Sequence, residues 1–210
     1  MIENKHKFAR IGSILLALGL TLGTVACGDD GDDDGGTDTD AGGETDAGGD
    51  EPTITLTEVT GATFAGPESA HWDAANEVWY IANFGENLDL TGETPDEPCY
   101  ISRVAADGTV MEERFVEVAE GNFLGMATMG GMLYVAHSGS NLVEIDPADP
   151  ANPTIIPIPD GMFVNDVAAG GGAVYISDTM ANKIYKYTPG GDFETYSEDP
   201  LLTGPNGLYV

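Results

Sequence analysis

The chain has 210 residues, and its 36 acidic and 7 basic side chains give a formal net charge of -29. A surface that negative repels phosphate backbones, which sets nucleic acid aside as a partner. From about residue 53 onward the chain is long enough to build one core.

The first ten residues carry Lys5, Lys7 and Arg10, and the run "IGSILLALGLTLGTVA" follows with no charge until Asp29. That length suits the apolar part of a signal peptide and is short for a membrane span. The run ends at "TVAC", which resembles a bacterial lipobox. The resemblance implies a signal peptide over 1–26, cleavage before Cys27 and lipidation of the new terminus. Stable anchoring takes more than one acyl chain, each contributing roughly 0.8 kcal/mol per buried CH₂. The membrane is therefore an expected partner and the cell envelope the expected location. Gly28, where Asp could have followed the cysteine, points to the outer membrane.

Residues 27–52, "CGDDGDDDGGTDTDAGGETDAGGDEP", hold no basic side chain and, after the cysteine, no apolar side chain larger than Ala or Pro. Such a stretch cannot bury enough surface to offset its chain entropy, and its own charge extends it. Within it "DGDDDG" fits the opening of a calcium-binding loop, but Ala41 stands where the bidentate Glu belongs. The segment is expected to be a disordered acidic tether. With Cys27 lipidated, Cys99 has no intrachain partner and no disulfide framework forms. Cys99 lies in "TGETPDEPCY", where no cation or His activates it.

The remainder is repetitive. "ESAHWDAANEVWYIANF" from Glu68, "LGMATMGGMLYVAHSG" from Leu124 and "NDVAAGGGAVYISDTM" from Asn165 superpose, and "NGLYV" from Asn206 opens a fourth copy. Leu124 to Asn165 and Asn165 to Asn206 are each about 41 residues, a propeller-blade period. The longer first interval contains the insertion "GENLDLTGETPDEP". The runs are short, rich in β-branched and aromatic residues and bounded by Gly, Asn and Asp, so they read as strands. In the second strand of each copy Trp79, Leu133 and Val174 share a column, as do Ile81, Val135 and Ile176. Tyr80, Tyr134 and Tyr175 point to the opposite face. Apolar bulk on both faces is what a sheet stacked between two others requires. The expected fold is all-β, a β-propeller of four-stranded antiparallel blades spanning 53–210. Blade one covers about 64–119, blade two about 120–159, blade three about 160–199, and blade four begins at about 200–210. "GPNGLYV" reads as the innermost strand of blade four. About three and a half blades cannot close a ring, so the sequence is expected to be the first part of a longer protein.

"GPESAHWD", "FVNDVAAGGGAVYISDTM" and "GPNGLYV" together resemble the gluconolactonase, regucalcin and luciferin-regenerating-enzyme family over 64–210. The resemblance implies a six-bladed propeller. It also implies one divalent metal, Ca²⁺, Mg²⁺ or Mn²⁺, held by Glu68, Asn165 and Asn206, which match the family's openings of blades one, three and four. Leu124 matches the blade that supplies no ligand, and the family's fourth ligand, an Asp opening blade five, has no counterpart before Val210. An all-oxygen set suits hard cations. In the family's lactonases the metal polarises the lactone carbonyl and orders a water. Asn83, His137 and Asp178, at the ends of second strands, are possible polar residues of the same channel face. Phe163 stands where the family's sugar lactonases often carry an Arg, Val167 replaces the Gly of N-D-G, and Asn182 and Lys183 replace an acidic contact. The expected function is therefore a surface-anchored propeller that binds a small-molecule or protein ligand. The alternative is a metal-dependent lactone or ester hydrolase.

Overall fold

The computed structural model describes residues 15–18, 55–84, 98–119, 121–138 and 140–210. The expected lipidation site Cys27, the expected tether, and all of the expected signal peptide except Leu15–Leu18 lie outside the described residues. Strand β1 (Leu15–Leu18) pairs antiparallel with β2 (Thr55–Glu58). The described residues contain no helix long and apolar enough to cross a membrane.

Three four-stranded antiparallel sheets follow, each a meander in chain order. The first holds β3 (Pro67–Asp73), β4 (Val78–Asn83), β5 (Cys99–Ala105) and β6 (Val110–Val118). The second holds β7 (Phe123–Met129), β8 (Met132–His137), β9 (Asn141–Ile145) and β10 (Thr154–Pro157). The third holds β11 (Val164–Gly170), β12 (Ala173–Asp178), β13 (Lys183–Tyr187) and β14 (Phe193–Ser197). Strand β7 packs against both β3 and β11, so the first strands of the three sheets are neighbours, as the inner strands of propeller blades are. The fold is all-β, and the sheets are blades one to three.

Local chemistry sets the hairpins. Gly130 and Gly131 between β7 and β8, and Gly171 and Gly172 between β11 and β12, all have positive φ. A two-residue turn of that hand matches the twist of its strands, and glycine adopts it without strain. Blade one uses a longer turn, where Asp73 Oδ1 accepts from the Ala75 and Asn76 amides at 3.0 and 3.3 Å.

The core lies between the sheets. On blade two, Leu133 and Val135 pack toward blade one with Tyr80, Ile101 and Phe115. The alternate residues Tyr134 and Ala136 pack toward blade three with Val174, Ile176 and Tyr185. On the far side of blade one, Ile81 and Trp79 are covered by Val59, Ala62 and Phe64. Tyr80 and Tyr134 are almost completely buried. Tyr175, in the same column, is half-buried because no further sheet covers its face in the described residues. It meets Tyr196 edge-on at 4.9 Å and, with Ile184, Leu208, Tyr209 and Val210, lines a hollow of about 300 Å³.

Tyr134→Ala is expected to cost about 3–5 kcal/mol in chemical denaturation, the range for deleting a buried aromatic ring. Tyr175→Ala should cost no more than about 1 kcal/mol, the scale of an average substitution. Equal losses would mean that the two rings are equally covered.

Candidate functional site

All three inner strands carry one extra residue at the same end. In blade one, Pro67 faces Asn83 and Ser69 faces Ala82, which leaves Glu68 as the insertion. In blade two the register shifts between Phe123 and Met126, across Leu124 and Gly125. In blade three it shifts between Val164 and Val167, across Asn165 and Asp166. A bulge bends its strand and re-aims the side chains it contains. Here it collects the openings of three consecutive repeats at one rim.

Hydrogen bonds link one rim strand to the next. The Ser69 hydroxyl donates to the Leu124 carbonyl at 2.6 Å. The Thr128 amide donates to Nε2 of His71 at 3.1 Å, and the Thr128 hydroxyl lies 2.9 Å from the same nitrogen. An accepting Nε2 places the proton of the neutral ring on Nδ1. Burial lowers the His71 pKa, against the raising charges of Asp73 and Asp166. Between blades two and three there is no room for a side chain at position 125. A Cβ on Gly125 would lie 2.6 Å from the Asp166 Cα and closer still to Oδ1.

Residues 204–210 run alongside blade three. The Ser177 hydroxyl accepts from the Asp166 amide at 3.0 Å and donates to the Asn206 carbonyl at 2.6 Å. Asp166 Oδ2 accepts from the Leu208 amide at 2.6 Å, and the Thr179 hydroxyl donates to the Pro205 carbonyl at 2.7 Å. The segment thus lies where an inner strand of a next blade would lie. The strand expected there does not form: a ladder needs a partner's backbone, and among the described residues none pairs with 204–210.

The predicted metal residues sit at three places on this rim. Glu68 is exposed on the first bulge. Its carboxyl pKa is raised, mainly by partial burial and further by the Asp166 charge, against a lowering from the Ser69 hydroxyl. Asn165 is 9 % exposed on the third bulge. Asn206 is exposed in the following segment. Leu124 occupies the intervening opening and is buried.

The three strand-end residues expected on a channel face are buried, at 0 % exposure for Asn83, 4 % for His137 and 0 % for Asp178. Asp178 closes turns. Oδ2 accepts from the Met162 amide at 2.7 Å, and Oδ1 accepts from the Phe163, Met180 and Ala181 amides at 3.0, 3.2 and 2.8 Å. Asn83 Nδ2 donates to the Ile81 carbonyl and the Ser102 hydroxyl at 3.0 and 3.1 Å, and its Oδ1 is buried without a partner. His137 meets Phe123 edge-on, with centroids 5.8 Å apart. A buried polar group needs partners, and these strand ends find most of theirs in the loops beside them. Cys99 is fully buried, and burial pushes its thiol up to about 12, which removes it from thiolate chemistry.

Sequence reasoning passed over Asp166, Gly125 and His71. "ND" is a common turn dipeptide, and Gly125 and His71 stand in the repeats without a motif of their own. The signal that could have found Asp166 was the offset between the repeats: an extra residue places two side chains, not one, at each opening.

Among the described residues, no three His, Cys, Asp or Glu side chains gather as a metal cluster. The candidate set of one carboxylate and two amides is of another kind. Its oxygen donors are of the kind that hard cations take, and Glu68 and Asn165 lie on the bulges of two inner strands that flank β7.

No family model matches the chain, and no curated protein matches it. Solved β-propellers do. Virginiamycin B lyase from Staphylococcus aureus is similar at 18% identity and a TM-score of 0.56, over 73% of this chain and 49% of that one. A chain of a nidogen/laminin complex is similar at 15% identity and a TM-score of 0.51, over 64% of this chain and 47% of that one. The chain thus spans about half the length of these structures. At such identities the likeness establishes a β-propeller fold and nothing finer.

Glu68→Gln should raise the melting temperature of the metal-free protein at neutral pH. A raised carboxyl pKa means that the folded state holds its proton more tightly than the unfolded chain does. The cost of ionising Glu68 therefore sets in as pH rises through the carboxylate range and is complete above the folded value. The gain from Gln should vanish below about pH 4. Thermal melts across pH test this, and a gain that persists in acid would contradict it.

Proposed function

We propose that this chain is a lipid-anchored β-propeller of the bacterial cell envelope, similar to gluconolactonase-like proteins. Its inner-strand rim binds a small-molecule or protein ligand beside a divalent cation. The observation that carries this reading is the repeated bulge. It places Glu68 and Asn165 at the same end of two inner strands that flank β7, and the Ser177–Asn206 hydrogen bond draws Asn206 to the same rim. When bound there, a hard cation would supply an electrophilic point for a carbonyl, carboxylate or hydroxyl of the ligand. Glu68 would contribute the charge, and Asn165 and Asn206 neutral carbonyl oxygens.

Binding is favoured over hydrolysis by the state of the nearby candidate base. His71 Nε2 already accepts from Thr128, so the ring has no basic nitrogen free on that side to take a proton from water. Phe163, where the resemblance would have a sugar-contacting Arg, is an apolar neighbour of the core between blades two and three.

Calorimetry with CaCl₂, MgCl₂ and MnCl₂ on the protein stripped with chelator tests the site. Binding of at least one ion with a Kd of about 10⁻⁴–10⁻³ M, the range of extracellular modules, is expected. No heat and no rise in melting temperature with any of the three would remove the reading. For the anchor, Cys27→Ser should move the protein from the detergent phase to the aqueous phase and abolish acyl mass on the N-terminal peptide. Unchanged partition would refute lipidation at Cys27.

A further inference from the structure

We propose that His71 is an acid-sensitive latch: its neutral ring ties blade one to blade two, and a proton on Nε2 opens that tie. Strand β7 is the edge of its sheet, so the backbone groups along its outer side have no ladder partner. Two side chains of β3 serve them instead. Ser69 and His71 are two residues apart, and on a strand that spacing puts them on one face. The Ser69 hydroxyl donates to the Leu124 carbonyl at 2.6 Å, and His71 Nε2 accepts from the Thr128 amide at 3.1 Å. The two bonds meet β7 four residues apart and hold the strand that carries the Glu68 bulge.

The histidine is a departure from the repeat. His71, Ala127 and Ala168 occupy the same position in the three inner strands, each opposite the tyrosine of its second strand: Tyr80, Tyr134 and Tyr175. Alanine is too short to reach a neighbouring edge. Between blades two and three the inner strands meet instead where Gly125 lies against the Asp166 side chain. A titratable tie therefore belongs to the first joint and not to the second.

The two bonds of that joint respond differently to acid. The Ser69 hydroxyl keeps its proton and its bond. An amide can only donate, so Nε2 must accept, and the neutral ring carries its proton on Nδ1. In the charged ring both nitrogens are donors. The Thr128 hydroxyl, 2.9 Å from Nε2, can turn to accept from the charged ring, but the Thr128 amide then faces an N–H and loses its acceptor. Burial opposes the charged ring, while Asp73 on the same strand and Asp166 on β11 favour it. The other titratable groups of β3 and β4 are Glu68, three residues before His71, and Tyr80, opposite it, whose phenol burial pushes up. Strand β7 carries no titratable side chain. A folded pKa below the free value means that the unfolded chain takes up the proton first. The stability supplied by the latch is thus complete above about pH 6.5, declines as pH falls through that value, and is gone once the folded ring is charged.

The test uses the full chain as wild type and as His71→Gln, whose amide oxygen can accept from Thr128 at any pH. Hydrogen exchange at the Thr128 amide, corrected for the intrinsic effect of pH, should lose about fivefold protection in wild type between about pH 7.5 and about pH 4.5, the scale of one hydrogen bond. His71→Gln should keep its protection over the same interval. The wild-type melting temperature should fall relative to that of His71→Gln, since His137 and the carboxylates titrate in both proteins and cancel in the difference. Ring-nitrogen chemical shifts of wild-type His71 at about pH 8 should report the Nδ1–H tautomer, a measurement that needs no variant to fold. An Nε2–H tautomer would overturn the proposal. So would wild-type Thr128 protection that stays constant over the interval, or melting profiles of the two proteins that run parallel.

Discussion

Each sheet between two others must bury both of its faces, and the rest of the fold follows from that requirement. Blade two meets it with alternate residues of one strand, Leu133 and Val135 toward blade one and Tyr134 and Ala136 toward blade three. An aromatic ring removes about 150–250 Å² from water. Exposed ion pairs such as Lys183–Glu198 contribute about 0–1 kcal/mol each, so the apolar layers and not the charged outer strands decide the stacking. With both faces committed, chemistry has two places left: the rim where inner strands begin, and the loops at strand ends. The bulges use the first. They interrupt the alternation for one residue, and in blades two and three the apolar register returns immediately afterwards, with Met126 and Val167 in the core.

Much of the architecture was legible because a strand's period of two survives in sequence. The columns headed by Trp79, Leu133 and Val174 identified three comparable units, and each is part of a four-stranded meander. The periodicity also called for apolar neighbours on both sides, which Tyr80 and Tyr134 have. The site was less legible. An inserted residue looks like a turn in sequence, so Asn165 was weighed alone and Asp166 beside it was not. Asn83, His137 and Asp178 looked like polar ends open to a channel, but a strand end beside a loop is crowded with backbone amides. Asp178 alone accepts four of them. The apolar run 208–210 has strand-like residues, but propensity makes no ladder without a second backbone to bond to.

The rim carries negative charge that it can relieve in three ways, and its geometry ranks them. Protonating Glu68 is the first, and burial favours it by raising the carboxyl pKa. Charging His71 is the second. Asp73 and Asp166 favour it, but burial outweighs them, and a proton on Nε2 would break the bond from the Thr128 amide that links blade one to blade two. Burial and the Thr128 bond together favour the neutral ring. The third route is a cation from solution. It needs neither a proton on Glu68 nor the loss of the Thr128–His71 bond between blades. Of the three, the third leaves in place the hydrogen bonds from Ser69 and Thr128 that tie blade one to blade two.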